Sequence, residues 1–272
     1  MEIKKITIKG LKISLLIYLL FGVFLFLSQR SLIYHPNEQD FNDCPGFKEY
    51  QGINHNGTRF YYYERSPDQV LVHYHGNAGS TCDRSFLRSV LEQNNNSIIF
   101  VEYAGYSNDD RRPSEKLILK DVENINDFLE KNNFQNITVY GQSIGAGAAS
   151  YQAHTGKVDS LILISPFSSL ENLVRSKLPI YPISFLLKEE YNNMKWLKNY
   201  KGRLIIFHGD EDSIIPSRFS KKLFEKIPSE EKKYVLLENF GHNDIWLSSE
   251  FQKKLVTFIK KANNSSNYNP PK

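Results

Sequence analysis

The stretch Val139-Tyr-Gly-Gln-Ser143-Ile-Gly-Ala-Gly147 decides the fold. A β-branched apolar run ends at Tyr140 and an alanine-rich segment follows from Ile144, so Ser143 lies at the turn between a predicted strand and a predicted helix. This is the G-x-S-x-G nucleophile elbow, in which the two glycines leave room for neighbouring backbone. The pattern predicts a strained serine whose hydroxyl lies beside the positive end of a helix.

Length and charge limit the class of protein. The 272 residues suffice for one α/β domain of ordinary size with a sizeable core. The net charge of +4 is small, and no basic stripe is interleaved with aromatic residues, so a nucleic-acid partner is not expected. No C-x-x-C motif or His/Cys cluster has metal-ligand spacing, and we expect neither a metal nor an organic cofactor.

The N-terminal residues 1–30 differ from the rest of the chain. Four lysines lie among the first twelve residues, and Ile13 to Leu27 then carries no charge. A cleaved signal peptide and an uncleaved signal anchor both fit this pattern, but a cleavage site ending at Ser28 would have Phe26 where a small residue belongs. We therefore favour a single-pass anchor. The lysines before it and only Arg30 just after it predict a cytoplasmic N-terminus and a domain on the other side of the membrane.

The two cysteines, Cys44 and Cys82, leave two possibilities open. One disulfide is compatible with a non-cytoplasmic domain, and two unpaired thiols are equally compatible with the sequence.

Apolar periodicity predicts strands that alternate with helices after an initial antiparallel pair. The predicted strands are Lys48–Ile53, Thr58–Glu64, Val70–Tyr74, Ser97–Tyr103, Ile137–Tyr140, Leu161–Ile164, Arg203–Phe207 and Tyr234–Leu237, after a short strand-like segment at Ser31–Pro36. The predicted helices are Ser85–Gln93, Ser114–Lys131, Ile144–Ala153, Ser217–Lys226 and Asp244–Lys261. This order predicts an α/β domain over residues 31–262 with a mostly parallel sheet of about eight strands and helices on both faces. The polar tail, 263–272, is expected to be disordered.

Three segments at the ends of predicted strands could complete a site around Ser143. The first is His75-Gly-Asn77-Ala-Gly79, whose small residues let backbone N–H groups approach an oxyanion. We expect Asn77 and Ile144 to supply the two donors, although the loop could also be a glycine-rich turn without a catalytic part.

The second and third segments offer an acid and a base. Asp212, in the turn after the strand that ends at Phe207, is our candidate for the carboxylate, and Asp210 is its rival as a capping or turn residue. His242 lies on the loop before the closing helix, where it can reach the serine. The other six histidines lack this position and are interpreted as structural.

Read along the chain, Ser143, Asp212 and His242 follow the order found in α/β-hydrolases. The chain resembles that superfamily, and within it the membrane-anchored alpha/beta-hydrolase-domain proteins of the bem-forty-six type. The matching segments are residues 29–36, 75–79, 103–106 with 113–115, 141–145, 208–212 and 241–244.

The resemblance implies an α/β-hydrolase fold with Ser143 as nucleophile, Asp212 rather than Asp210 as acid, and His242 as base. It also implies Asn77 and Ile144 as oxyanion donors and a cap insertion at about 166–202 that covers the site. One loop departs from the family: Glu102-Tyr-Ala-Gly-Tyr-Ser107 replaces Asp-Tyr-Arg-Gly-Tyr-Gly, followed by a charged run to Arg112.

These patterns predict a serine hydrolase of carboxylic esters or thioesters (EC 3.1), with a lipid or an acylated protein as substrate and without a cofactor. The apolar residues of the insertion suit an acyl chain, or else merely pack a helical cap onto the sheet.

Two alternative functions stay open. A serine peptidase would need a larger cap or an acidic cluster for a free amine, and no such cluster is evident around Glu189 and Glu190. An inactive membrane-tethered binding module should lack a triad residue, and all three are present.

Overall fold

The computed structural model describes residues 2–264, and side chains from 8 to 262. The strands are β1 His35–Pro36, β2 Gln51–His55, β3 Thr58–Tyr63, β4 Gln69–Tyr74, β5 Ala78–Gly79, β6 Ser97–Glu102, β7 Asn136–Gln142, β8 Ser160–Ile164, β9 Arg203–Gly209 and β10 Lys232–Leu237. The α-helices are α1 Glu2–Ile33, α2 Arg88–Leu91, α3 Glu115–Lys131, α4 Gly145–Thr155, α5 Leu170–Lys177, α6 Ile183–Leu186, α7 Asn193–Trp196, α8 Arg218–Lys226 and α9 Ser249–Asn264.

Eight strands form one sheet in the order β10-β9-β8-β7-β4-β6-β3-β2. The pairs β2–β3 and β3–β6 are antiparallel, and the other pairs are parallel, so the predicted mostly parallel sheet is confirmed. The chain passes from β4 to β6 on one side and then to β7 on the other. The carboxyl ends of β4 and β7 therefore adjoin at the point where the strand order reverses, which is where open α/β sheets place their sites.

Both faces of the sheet are covered. Along β8, Leu161 and Leu163 belong to one apolar cluster and Ile162 and Ile164 to the other, because successive side chains point to opposite faces. Helices α3, α4 and α8 pack on the first face and α9 on the second. A strand buried on both sides reads as a continuous apolar run, which is why β8 was visible in the sequence.

Three predicted elements have other shapes, and one of them, the helix expected at Asp244–Lys261, is a 3₁₀ turn at Ile245–Leu247 followed by α9. The expected helix at Ser85–Gln93 is a 3₁₀ segment, Cys82–Leu87, followed by the single turn of α2. Its start is tied down by a Cys44–Cys82 disulfide, with a Cα–Cα distance of 5.8 Å, which resolves the choice that the sequence left open. Residues 31–33, expected to be extended, form the last turn of α1, because no helix breaker occurs before Pro36.

The N-terminal helix contains a largely apolar stretch, Ile8–Ile33, of 26 residues, and its most apolar window of 18 residues has a mean hydropathy of 2.3. By length and composition it could cross a membrane or serve as a signal sequence. At the other end of the chain, α9 reaches Asn264, and residues 265–272 of the predicted disordered tail lie outside the described residues.

One buried carboxylate gives the domain a pH dependence. Asp121 on α3 is 1% exposed and accepts hydrogen bonds from the Thr58 hydroxyl at 2.7 Å and the Ala104 N–H at 2.8 Å. Burial raises the pKa of Asp121 from 3.8 to about 6, although both hydrogen bonds oppose the shift. The folded state therefore holds this proton more tightly than the unfolded state. Ionising Asp121 then lowers the free energy of unfolding by ~3 kcal/mol as the pH rises from about 4 to above 6.

We expect Asp121→Asn to be more stable than the wild type above pH 6, because its amide keeps the shape and has no charge to bury. The two proteins should converge at pH 4, where Asp121 is protonated. Thermal unfolding in detergent between pH 4 and 8 measures this, with the exposed Asp110→Asn as control. If the Asp121→Asn and wild-type curves ran parallel, the buried charge would have no such cost.

Candidate active site

The elbow places Ser143 between β7 and α4. Its backbone φ of 55° lies in the left-handed region that non-glycine residues rarely adopt. A Cβ on Gly145 would overlap the backbone carbonyl of Tyr74 in β4, and a Cβ on Gly141 would come within 2.6 Å of the Ala149 Cβ. Both glycines are therefore required by close contact, as the sequence predicts.

Asp212 and His242, 30 residues apart in the sequence, meet at the carboxyl end of the sheet. The His242 Nδ1 lies 2.6 Å from Asp212 Oδ2, and both side chains are buried. Because a carboxylate can only accept, Nδ1 carries the proton, and Nε2 is left free to act as a base. Among the described residues Nε2 has no hydrogen-bond partner.

The Asp212 carboxylate is held as an anion by its surroundings. Its Oδ1 accepts the N–H groups of Ile214 at 2.9 Å and Ile215 at 2.7 Å. Burial opposes ionisation, but the contacts with His208 and His242 and the backbone bonds outweigh it and hold the pKa of Asp212 well below its usual range. The carboxylate is therefore charged at any pH at which the protein would act.

His208, interpreted from the sequence as structural, lies against the same carboxylate oxygen. Its Nε2 donates to the Ile215 carbonyl at 2.7 Å and lies 3.2 Å from Asp212 Oδ2. The sequence feature that could have indicated this contact is the position of His208 at the end of β9, four residues before Asp212. A histidine that only packs in the core could have the same spacing, so the sequence did not assign His208 to the site.

Asp210 lies in the same turn but makes a different contact. It is exposed and accepts the Asn239 N–H at 2.8 Å, and no contact joins it to His242 among the described residues. This is the turn role that the sequence left open for Asp210.

Ser143 and His242 line the same cavity, but no hydrogen bond joins Ser143 Oγ to the His242 ring within the described part of the chain. Such bonds are often long without a substrate and tighten in the reacting complex. The structure thus places Ser143 and His242 at one cavity and pairs His242 directly with Asp212.

The predicted oxyanion donors lie at this cavity as well. Within residues 2–264, neither the Asn77 N–H nor the Ile144 N–H has an acceptor in the protein. The Asn77 loop is fixed from outside: its side-chain amide donates to the Ile33 carbonyl at 2.8 Å, and its carbonyl accepts the Tyr106 hydroxyl at 2.8 Å. Two donors on rigid backbone can stabilise an oxyanion without reorganising.

The loop that departs from the family lies behind these donors. The buried Glu102 carboxylate accepts the Ser107 hydroxyl at 2.6 Å and the Thr81 N–H at 3.1 Å, and it lies 3.2 Å from His75 Nε2. Ser107 has a φ of 49°, at a position where the resemblance implies glycine. Two of the three departures in this motif, Glu102 and Ser107, therefore contact each other and support the His75–Gly79 loop instead of facing the cavity; the third is Ala104.

The cavity has a volume of about 610 Å³, within the range of small-molecule sites. Its wall is mostly apolar and comes from three parts of the chain: the sheet loops, the cap between β8 and β9, and α1. The contribution of α1 was not foreseen from the sequence. Within the described side chains, no group of three or more His, Cys, Asp or Glu residues could hold a metal ion.

Comparison with known proteins agrees with this architecture. A family model described as "Alpha/beta hydrolase of unknown function (DUF1057)" matches residues 62–169. An uncharacterized protein of Mycobacterium tuberculosis is 26% identical over 237 residues, which cover 82% of this chain and 84% of that protein. A protein of Acanthamoeba polyphaga mimivirus named as an alpha/beta hydrolase is 30% identical over 189 residues, or 66% of this chain and 68% of that one.

Among solved structures, an esterase of Pyrococcus furiosus superposes with a TM-score of 0.66 at 16% identity and covers 84% of this chain and 98% of its own. At this identity the likeness concerns the fold. The viral relative supports membership in a family as well as the fold, because the aligned segment includes two thirds of that protein at 30% identity. The chain is a member of the alpha/beta-hydrolase family.

Proposed function

We propose that this protein is a serine hydrolase that cleaves a carboxylic ester or thioester with a medium or long acyl group. The observation that carries the proposal is the buried Asp212–His242 pair, 2.6 Å apart, at the same apolar cavity as the elbow serine. A neutral imidazole whose Nδ1–H is held by a carboxylate is the base that a serine nucleophile requires.

The proposed reaction has two steps. His242 Nε2 takes the Ser143 proton as Oγ attacks the carbonyl carbon, and the oxyanion accepts hydrogen bonds from the Asn77 and Ile144 N–H groups. The tetrahedral intermediate collapses, and the alcohol or thiol leaves with the proton from His242. Water, activated by the same imidazole, then adds to the acyl-enzyme and releases the acid.

The cap gives no support to the peptidase alternative. Of its carboxylates, Glu171 is paired with Arg175 and Glu189 with Arg30. Glu190 is exposed at the surface and does not line the cavity. Among the described residues, no carboxylate lines the cavity to hold a free substrate amine beside Ser143.

We further propose that α1 is a membrane anchor, with the N-terminus in the cytoplasm and the hydrolase domain on the other side. The stretch Ile8–Ile33 is 26 residues long, more than the ~20 residues that a spanning helix needs, and its middle carries no charge. The lysines before it and the Cys44–Cys82 disulfide both favour a domain outside the reducing cytoplasm.

Two measurements on the full chain in detergent test this function. We expect a fluorophosphonate probe to label the protein covalently, and kcat/KM on p-nitrophenyl esters to rise from acetate to octanoate. Absence of labelling in folded protein would favour an inactive binding module. A steady fall beyond acetate would instead contradict the acyl-chain part of the proposal.

His208 is expected to position Asp212. In His208→Phe the carboxylate loses a buried contact and the Ile215 carbonyl loses its donor, and kcat should fall on the order of tenfold, since an unsatisfied buried polar group costs about 1–3 kcal/mol. His208→Gln carries an amide nitrogen that can replace Nε2, so it should recover most of the activity. Kinetics with p-nitrophenyl butyrate compare the two variants. An equal loss in both would indicate that His208 only fills space.

A further inference from the structure

The N-terminal helix does not stand apart from the hydrolase domain. Tyr18 stacks on Tyr181 of the cap, with ring centroids 4.5 Å apart and an interplanar angle of 7°. The Tyr18 hydroxyl donates to the Ile180 carbonyl at 3.0 Å, and the Tyr181 hydroxyl donates to the Tyr18 carbonyl at 3.1 Å. Two reciprocal hydrogen bonds and a ring contact thus fix the tip of the cap to the middle of α1.

A second contact lies three turns further along α1. The buried Gln29 amide donates to the Leu186 carbonyl at 3.1 Å, and its oxygen accepts the Lys188 N–H at 2.7 Å. Gln29 therefore provides hydrogen bonds to the backbone groups of the cap on both sides of Leu187. A buried backbone group without a partner there would cost free energy of folding.

A third contact links α1 to the elbow helix. The buried Glu189 carboxylate accepts hydrogen bonds from Arg30 Nε at 2.8 Å and the Tyr34 hydroxyl at 2.6 Å. The Tyr34 hydroxyl lies 3.1 Å from that of Tyr191, whose ring packs where a Cβ on Gly147 of α4 would be. One continuous set of contacts thus runs from the anchor to the helix that begins after Ser143.

Between these contacts, α1 forms part of the cavity wall. Its side chains Leu25, Leu32 and Ile33 line the cavity that contains Ser143 and His242. Cap residues of α5 and α6 line the same cavity, among them Leu173 and Leu186. The apolar wall of this cavity is therefore shared by α1 and the cap.

The contacts also fix the depth of the cap. Tyr18 precedes Ile33 by 15 residues, or ~22 Å of helix, so the cap tip lies beside the middle of the apolar stretch Ile8–Ile33. The exposed apolar side chains of the tip, Ile180 at 72% and Phe185 at 85%, suit a hydrocarbon environment rather than water. If α1 spans a bilayer whose core is ~30 Å thick, the tip lies within one leaflet.

We infer that α1 is one wall of the acyl-binding site and that the substrate is a membrane-resident acyl ester or thioester whose chain reaches Ser143 from within the leaflet. The inference rests on the proposed hydrolase function and extends it to the origin of the substrate. Leu25 and Leu32 are then specificity-determining residues, and removal of α1 as a signal peptide would remove this wall of the site.

The first test compares Leu25→Trp and Leu32→Trp with Leu27→Trp. Leu27 lies on the same helix, is 71% exposed and does not line the cavity. We expect the ratio of kcat/KM for p-nitrophenyl palmitate to that for the acetate to fall about tenfold in the first two variants, because the larger side chain occupies acyl space. The ratio should stay at the wild-type value in Leu27→Trp. An unchanged ratio in all three would overturn the inference while leaving the hydrolase function standing, whereas a wild type inactive on both esters would refute the function itself.

The second test uses the full chain in proteoliposomes. 1-Palmitoylglycerol or an S-palmitoyl peptide is placed either in the same vesicles as the protein or in separate vesicles. Access through the leaflet predicts hydrolysis about tenfold or more faster in the same vesicles, and the faster of the two compounds distinguishes a lipid from an acylated-protein source. Equal rates from both vesicle populations would mean that the substrate arrives through water, which contradicts the inference.

Discussion

Ser143→Ala is expected to lower kcat on p-nitrophenyl butyrate by at least about 10³-fold and to abolish labelling by a fluorophosphonate. The proposed acyl-enzyme bond forms at Ser143 Oγ, and removing a nucleophile leaves only the residual acceleration from the oxyanion donors and substrate binding. The fold should be unaffected, because the Ser143 hydroxyl makes no hydrogen bond within the described residues. Steady-state kinetics and probe labelling measure the two effects.

Ser150→Ala is the matched control for this variant. Ser150 lies on α4, is buried, and likewise has a hydroxyl without a partner among the described residues. Activity that survives in Ser143→Ala at the level of Ser150→Ala would show that another residue is the nucleophile.

Asp212→Asn is expected to lower kcat by about 10³- to 10⁴-fold with little change in KM. An amide at position 212 can present an N–H to His242 Nδ1, and the imidazole then adopts the tautomer whose Nε2 carries the proton and cannot accept one from serine. The loss should fall on kcat because the Asp212 contact stabilises the imidazolium that forms in the transition state.

Asp210→Asn is the control, two residues away in the same turn. Its carboxylate is exposed and bonds only the Asn239 N–H within the described part of the chain, so we expect activity within about twofold of the wild type. A large loss in Asp210→Asn together with normal activity in Asp212→Asn would reverse the two assignments.

The loop after β6, which departs from the family pattern, raises the question of whether substrate preference can be inferred from relatives. Glu102 and Ser107 bond each other and support the His75–Gly79 loop, and neither lines the cavity. The cavity is lined instead by Leu25 and Leu32 of α1 and by the cap helices. The cap helices and Leu25 lie outside the segments that match the hydrolase family. Acyl preference is therefore better investigated at α1 and the cap than at the loop after β6.

The sequence alone determined the fold class and the candidate residues. The elbow around Ser143, the continuous apolar run of β8 and the uncharged run from Ile13 are local patterns, set by helix and strand periodicity and by what glycine permits. The chain order of Ser143, Asp212 and His242 required no distances either, since it depends only on which strand each residue follows.

The tertiary structure alone decided which side chains meet. The Asp212–His242 contact, the approach of His208 to the same carboxylate and the Cys44–Cys82 disulfide join residues that periodicity treats independently. The contacts between α1 and the cap join residues far apart in the sequence: Tyr18 bonds residues more than 160 positions away. A helix whose sequence is typical of a membrane anchor therefore also forms a wall of the candidate active-site cavity. Hydropathy reports how much apolar surface a helix has, whereas the partner of that surface is set by the packing of the whole chain.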